Sequence, residues 1–318
     1  MSRVRELARS LPVRDPAAVA RARREATERP LRYPVGSGQA DDVALGAGLR
    51  PLLRQLLEAG PLERERRRYE RAGYVVAVAP RVYGPTHDGW DHTPDALDPD
   101  APGARRALFV GRERARVEAA VACDLAKTDA ADRELGRLLG YPRCCVEAFV
   151  ALPPGRQNTE LHAAAWAATR GRPEPRLNGL DLAVFHYVSW FPCAFDCPLA
   201  LAYANAVASR LARLHADFVA AIDAALAAHR LVLCDELQLS LRGRLEGGAL
   251  ALEEVWPTAR DRHPEAALDA PAEEAVARAL ALVRAAQVLE VTPAGLALDG
   301  ALLGGTAGAL LVPFGVPV

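Results

Sequence analysis

Apolar positions return with two different periods along this chain. From residue 113 to about residue 230 they recur every three or four residues, the signature of amphipathic helices. From residue 231 onward they alternate, or run in short blocks broken by glycine, which predicts strands and hairpins. Helices are expected over residues 113–126, 130–139 and 142–150, with Gly140 closing the second and Pro142 placed in the first turn of the third. Shorter helices are expected at 161–169 and 180–188, and one long alanine-rich helix over 199–229. The last third should hold strands at 231–241, 249–256 and 288–312, with one helix at 272–286.

The first third is mixed. Basic helical segments at 4–10 and 17–27 precede a glycine-containing loop at 35–38. An amphipathic stretch follows at 49–57, and then a charged helix at 62–72 that Gly73 ends. Residues 74–79 and 107–110 read as buried strands, joined by a long loop at 84–105 dense in Pro, Asp and Gly. The expectation is an α+β fold, with a helical cysteine-bearing domain at 113–230 between a mixed region at 1–112 and a β-rich region at 231–318.

Composition narrows the class of function. At 318 residues, 51% hydrophobic and 25% charged, the chain is globular. A formal net charge of −1 provides no field to recruit nucleic acid or an anionic membrane. All but one of the 39 basic residues are arginine, the exception being Lys127, so a single arginine says little about ligands. No secretory leader or membrane-spanning run stands out, since the alanine-rich stretch is broken by Asn205, Arg210, Arg213, His215 and Asp217. The expectation is a soluble cytoplasmic chain, and in that compartment clustered cysteines more often bind metal or react than form structural disulfides.

Four of the six cysteines are clustered. Cys144 and Cys145 are adjacent in Tyr141-Pro-Arg-Cys-Cys-Val-Glu147, and Cys193 and Cys197 lie in Phe191-Pro-Cys-Ala-Phe-Asp-Cys197. A helix starting at Pro142 puts the first pair where free N–H groups and the dipole favour thiolates. Asp196 can cap a second helix opening at Cys197-Pro198. Four convergent thiolates suit an iron–sulfur cluster or tetrahedral zinc. Adjacent side chains diverge, which argues for an iron–sulfur cluster first and zinc second. A vicinal disulfide or reactive thiol is a third reading, and plain packing a fourth. Cys123 and Cys234 fall on an apolar helix face and in an apolar strand, where they read as core.

Other residues could contribute. His186 is a candidate ligand or proton donor, against a satisfied helix-end histidine. Glu147 is a candidate acid–base group, against a carboxylate that merely favours the helix dipole. Phe185, Tyr187, Trp190, Phe191 and Phe195 could wall off a cluster or form ordinary core. His87 and His92 in the long loop, and Asp235 with Glu236 after an apolar strand, read as solvated groups. Leu303-Gly-Gly-Thr-Ala-Gly lacks the lysine of a phosphate loop and reads as a turn.

The segment from Leu138 to Phe149, with Phe185-His186 and Phe191 to Cys197, resembles the prokaryotic family Domain of Unknown Function 483 over about residues 132–204. The resemblance implies that Cys144, Cys145, Cys193 and Cys197, together with His186, form one set; it implies no activity. The sequence thus points to a metal-thiolate protein, iron–sulfur first, in redox chemistry or in modifying a small molecule or peptide. The alternative is a zinc-binding or structural module without catalytic activity.

Overall fold

The computed structural model describes residues 3–27, 37–85, 92–93, 104–126, 128–153, 158–179, 185–234, 237–257 and 270–315. These form an α+β fold with two antiparallel sheets. The N-terminal part contains helices α1 (Arg3–Ser10), α2 (Pro16–Thr27) and α3 (Ser37–Gly46), strand β1 (Leu52–Glu58), helix α4 (Ala59–Arg71), and strands β2 (Val75–Pro85), β3 (His92–Thr93) and β4 (Arg105–Gly111). The four strands lie in the order β1-β4-β2-β3. Because side chains alternate along a strand, β4 feeds two cores. Ala107 and Phe109 pack with Val117 and Leu138 on one face, while Leu108 and Val110 pack with Tyr69 and Leu45 on the other.

A helical run follows: α5 (Arg114–Ala126), α6 (Asp129–Leu139), α7 (Arg143–Val150), α8 (Asn158–Ala168), a 3-10 turn at Pro175–Leu177, α9 (Pro198–Ala212) and α10 (Ala216–Leu226). Thr128 caps α6 by accepting from the Ala131 amide, and Gly140 closes it with φ +78°. A Cβ at Gly140 would lie 2.6 Å from the Pro51 ring, so the turn into α7 seats directly on the loop before β1. Gly136 likewise lets α7 approach α6, since a Cβ there would meet Val146 at 2.5 Å.

The C-terminal sheet is built from β5 (His229–Cys234), β6 (Leu237–Glu246), β7 (Ala249–Pro257), β8 (Val288–Thr292), β9 (Gly295–Leu298), β10 (Ala301–Leu302) and β11 (Leu310–Val312), with α11 (Ala270–Ala285) between β7 and β8. Its order is β10-β9-β8-β7-β6-β5-β11. Leu231 and Leu233 point to a core completed by α11, by Leu7 and Ala22 of the first two helices, and by Leu11 just after α1. Val232 points the other way, into a core shared with α9, α10 and two of the clustered cysteines. All six residues of β5 are buried, so this strand forms the wall between the two cores.

Several expectations are corrected. Residues 37 and 38, read as loop, open α3. The 49–57 stretch contains β1, whose leucines pack to both sides. The 199–229 segment is two helices and the start of a strand. After Leu211 the chain tightens, with Leu214 and His215 amides both on the Leu211 carbonyl, and Leu214 is left 66% exposed. Alanine suits either side of such a break, and no Gly or Pro marks it. Residues 185–188 of the segment expected as a helix at 180–188 are irregular; 180–184 lie outside the described residues. Lys127, His87, Asp235, Glu236 and most of the 84–105 loop also lie outside them, and of His92 only the backbone is described, paired with Pro85. The 303–308 segment is a turn, in which Thr306 Oγ1 accepts from the Leu296 amide and donates to the Leu303 carbonyl.

Candidate metal centre

The two cysteine pairs meet. The ligand sulfurs of Cys144, Cys145, Cys193 and Cys197 all lie within 4.8 Å of one another, and none of the four is in a disulfide. Cys197 Sγ is 3.7 Å from Cys144 Sγ and 3.9 Å from Cys145 Sγ. The Cys193 amide donates to Cys145 Sγ at 3.4 Å. Adjacent cysteines therefore both reach the centre, each with its sulfur close to that of Cys197.

Local backbone chemistry sets each position. Pro142 is the N-cap of α7 rather than its first helical residue, so Cys144 and Cys145 are the second and third residues of the helix. Cys197, not Asp196, is the N-cap of α9, with Pro198 in the first turn. Asp196 instead accepts from the Arg170 and Gly171 amides at 3.0 and 2.6 Å, pinning the Cys193–Cys197 loop to the end of α8. Phe195 strengthens that attachment: its amide donates to Thr169 Oγ1 at 3.0 Å and its carbonyl accepts from the Glu174 amide at 2.7 Å.

Burial grades the four thiols. Cys145 and Cys197 are buried, Cys193 is half-buried and Cys144 is exposed. Burial pushes the Cys145 thiol up. Burial also raises Cys193, to about 12, with the Cys197 and Cys144 sulfurs adding to it. At Cys197 burial pulls upward too, but the Ala200 amide and hydrogen bonds from the other three cysteines outweigh it and hold its thiol below the usual value. Four negative sulfurs this close repel one another in a low-dielectric setting. A bound cation removes that repulsion, so the donor set fits a metal ion.

The surroundings separate the remaining candidates. Phe185, Tyr187 and Phe195 share a core with Cys145 and Cys197, with Trp190 packed against it, so the aromatic residues form both the core and the wall of the centre. His186 is not grouped with the thiols. Burial, foremost, lowers its pKa, and the charges facing it are Asp41 and Arg50. Glu147 is exposed and ion-paired with Arg133 at 2.9 Å. Cys234 is buried in β5, and Cys123 packs against the N-terminal core.

Sequence reading missed Arg50, Asp41 and His162. Arg50 is 2% exposed; its Nε donates to the Leu52 carbonyl at 2.9 Å, and its Nη1 donates to Asp41 and, at 2.8 Å, to Ser189 Oγ. Its guanidinium lies 5.7 Å from the centre of the Tyr141 ring. The Tyr141 hydroxyl in turn donates to the Ser189 carbonyl at 3.2 Å. One arginine thus holds together the two segments that lead into the cysteine pairs. His162, on α8, lies edge-on to Phe191 at 5.1 Å, and burial lowers its pKa to about 3. Neither residue stands in a motif, and in an arginine-rich chain one more arginine is no signal.

No family model matches this chain, and no curated protein or solved structure matches it. Among the described residues no helix is long and apolar enough to cross a membrane.

Proposed function

We propose that this is a metal-thiolate protein whose Cys144, Cys145, Cys193 and Cys197 share a single tetrahedral ion, zinc before any other. The observation that carries this is the spacing of the sulfurs. Zn–S bonds of about 2.3 Å place the corners of a tetrahedron about 3.8 Å apart, and Cys197 stands 3.7 and 3.9 Å from its two neighbours across the pairs. In a four-iron cluster each thiolate binds its own iron at a cube corner, so the sulfurs are separated by the cube as well as by two bonds. The set is compact for that arrangement.

A four-sulfur site closed in this way organises structure rather than binding a reactant. The ion would fix the start of α7 against the start of α9 and hold the Ser189–Phe191 segment in place. Chemistry on a small molecule or peptide would then fall to the side chains that this segment positions. The motif resemblance to Domain of Unknown Function 483 supports treating the four cysteines as one set.

A second reading keeps the iron–sulfur cluster and a redox role. It is favoured by one observation, the exposure of Cys144, which leaves that corner free to swing outward and widen the set. Metal and acid-labile sulfide content, with an absorption spectrum, on protein purified without air separates the two. Zinc at one per chain without sulfide is the expected result. Iron with near-equal sulfide and broad visible absorption would overturn the single-ion reading, and neither metal would overturn both.

A further inference from the structure

The four thiols of the centre differ in what can reach them. Cys144 is the exposed member, Cys193 is half-buried, and Cys145 and Cys197 are buried. A reactant arriving from water therefore meets Cys144 first. Cys197 Sγ stands 3.7 Å from that sulfur. A disulfide bond is about 2.05 Å long, so the two sulfurs need to approach by less than about 2 Å to bond.

The other two sulfurs are poorer partners. Cys144 and Cys145 are consecutive residues of α7, where successive side chains turn away from each other by about 100°. The Cys145 and Val146 amides both donate to the Pro142 carbonyl, at 2.9 and 3.1 Å, which holds this first turn closed. A bond between the adjacent cysteines would have to open it. Cys193 lines an apolar groove with Phe149, Leu152, Leu161 and Phe191, which a polar oxidant gains nothing by entering.

We infer that Cys144 is an oxidation site for hydroperoxides and that Cys197 resolves it, so that the centre is a thiol switch that gives up its ion. The release of metal rests on the single-ion reading above; the disulfide does not. With hydrogen peroxide, the Cys144 thiolate attacks one oxygen: an S–O bond forms, the O–O bond breaks, and the departing hydroxide is protonated by solvent. Sulfur has then lost two electrons and is a sulfenic acid. The Cys197 thiolate attacks that sulfur; the S–S bond forms, the S–O bond breaks, and a second hydroxide leaves and is protonated. Two thiolates, one peroxide and two protons become one disulfide and two waters. Zinc takes no part in the electron transfer; it loses two of its four ligands and dissociates.

The test treats the full chain, purified without air and with its metal content measured first, with about one equivalent of hydrogen peroxide at neutral pH. Released zinc is followed with a colorimetric chelator, and the cysteines are mapped by alkylation and peptide mass spectrometry. A Cys144–Cys197 disulfide is expected, with zinc lost in step, and free thiol should disappear at Cys144 at least about tenfold faster than at Cys123, which packs against the N-terminal core. Cys197→Ser removes the resolving thiol, so dimedone should then trap sulfenic acid at Cys144; if that variant does not fold, the wild-type map decides alone. A first disulfide between any other pair, oxidation of Cys123 as fast as Cys144, or a Cys144 still free when the peroxide is spent would overturn the inference. A Cys144–Cys197 bond formed in protein that carries no zinc sinks only the single-ion reading, and zinc-loaded protein that keeps Cys144 reduced sinks only this inference.

Discussion

The cysteine region and the C-terminal sheet solve the same problem in opposite ways. The sheet gathers its core from alternation along its strands and from the helix laid on it: Leu231, Leu239, Leu241, Leu250 and Leu289, with Leu280 of α11, are all fully buried, and neighbouring strands pair antiparallel. The cysteine region has short helices, an irregular segment at 185–197, and polar atoms gathered in its interior. Its order comes from a few specific contacts: four sulfurs, one arginine and the Asp196 pin. Regular structure tolerates the loss of any one contact, whereas a region organised around a centre depends on that centre.

Breaking the centre should give the largest effect. Cys145→Ser, or chelation of the native metal, is expected to lower stability by about 5 kcal/mol or more, given the strength of structural metal binding. Hydrogen exchange should locate the loss in α7, α9 and residues 185–197, with β6 to β9 still protected. Equal loss of protection in both regions would show that they are one cooperative unit.

Truncating the sheet's core tests the converse. Leu280→Ala removes a fully buried side chain and should cost about 2–5 kcal/mol in a denaturant titration, with metal content unchanged. If metal is lost with it, the centre depends on the sheet.

A third experiment uses acid. His162 is buried and held neutral, its folded pKa about 3 against an ordinary 6.5. The unfolded chain takes up this proton first, so the contribution to stability is complete above the ordinary value and is lost as pH falls toward 3. His162→Phe should therefore flatten the acid limb of the stability curve by on the order of 2 kcal/mol between about pH 6 and about pH 4, measured on metal-loaded protein with metal release followed in both chains. A limb identical to that of the wild-type chain would place the histidine in contact with water. The smallest effect belongs to Glu147→Gln. Its exposed pair with Arg133 is worth less than about 1 kcal/mol, and metal content should not change; a large change in metal content would return Glu147 to the centre.

The same contrast explains what could be read from the sequence. Strands β5 to β7 and helix α11 follow from periodicity because each is decided by its own residues and close neighbours. The four cysteines are visible as two strings, and the position of Cys144, Cys145 and Cys197 at helix starts, with Cys193 in the loop before the second, follows from Pro142 and Pro198. What could not be read depends on distant contacts. Ser189 meets Arg50 across 139 residues, and nothing local to either position marks the encounter. The divergence of adjacent cysteines is a local property that argues against one ion, whereas the Cys197 sulfur close to both comes from far along the chain. The break in the 199–229 helix was hidden by alanine, which carries the helical pattern across a turn without objection.

Cys145 and Cys193 stand 48 positions apart, and the chain between them carries α8, His162 and the 3-10 turn. An ion held by both pairs would cross-link the chain around that whole loop. In the chain-entropy view, closing a loop of this length removes about 4 kcal/mol of freedom from the unfolded ensemble. The benefit arises before any side chain has packed, so part of the centre's contribution to stability is exerted on a chain that has not yet folded. Metal availability would then govern how quickly α8 finds its place as well as how firmly it stays there.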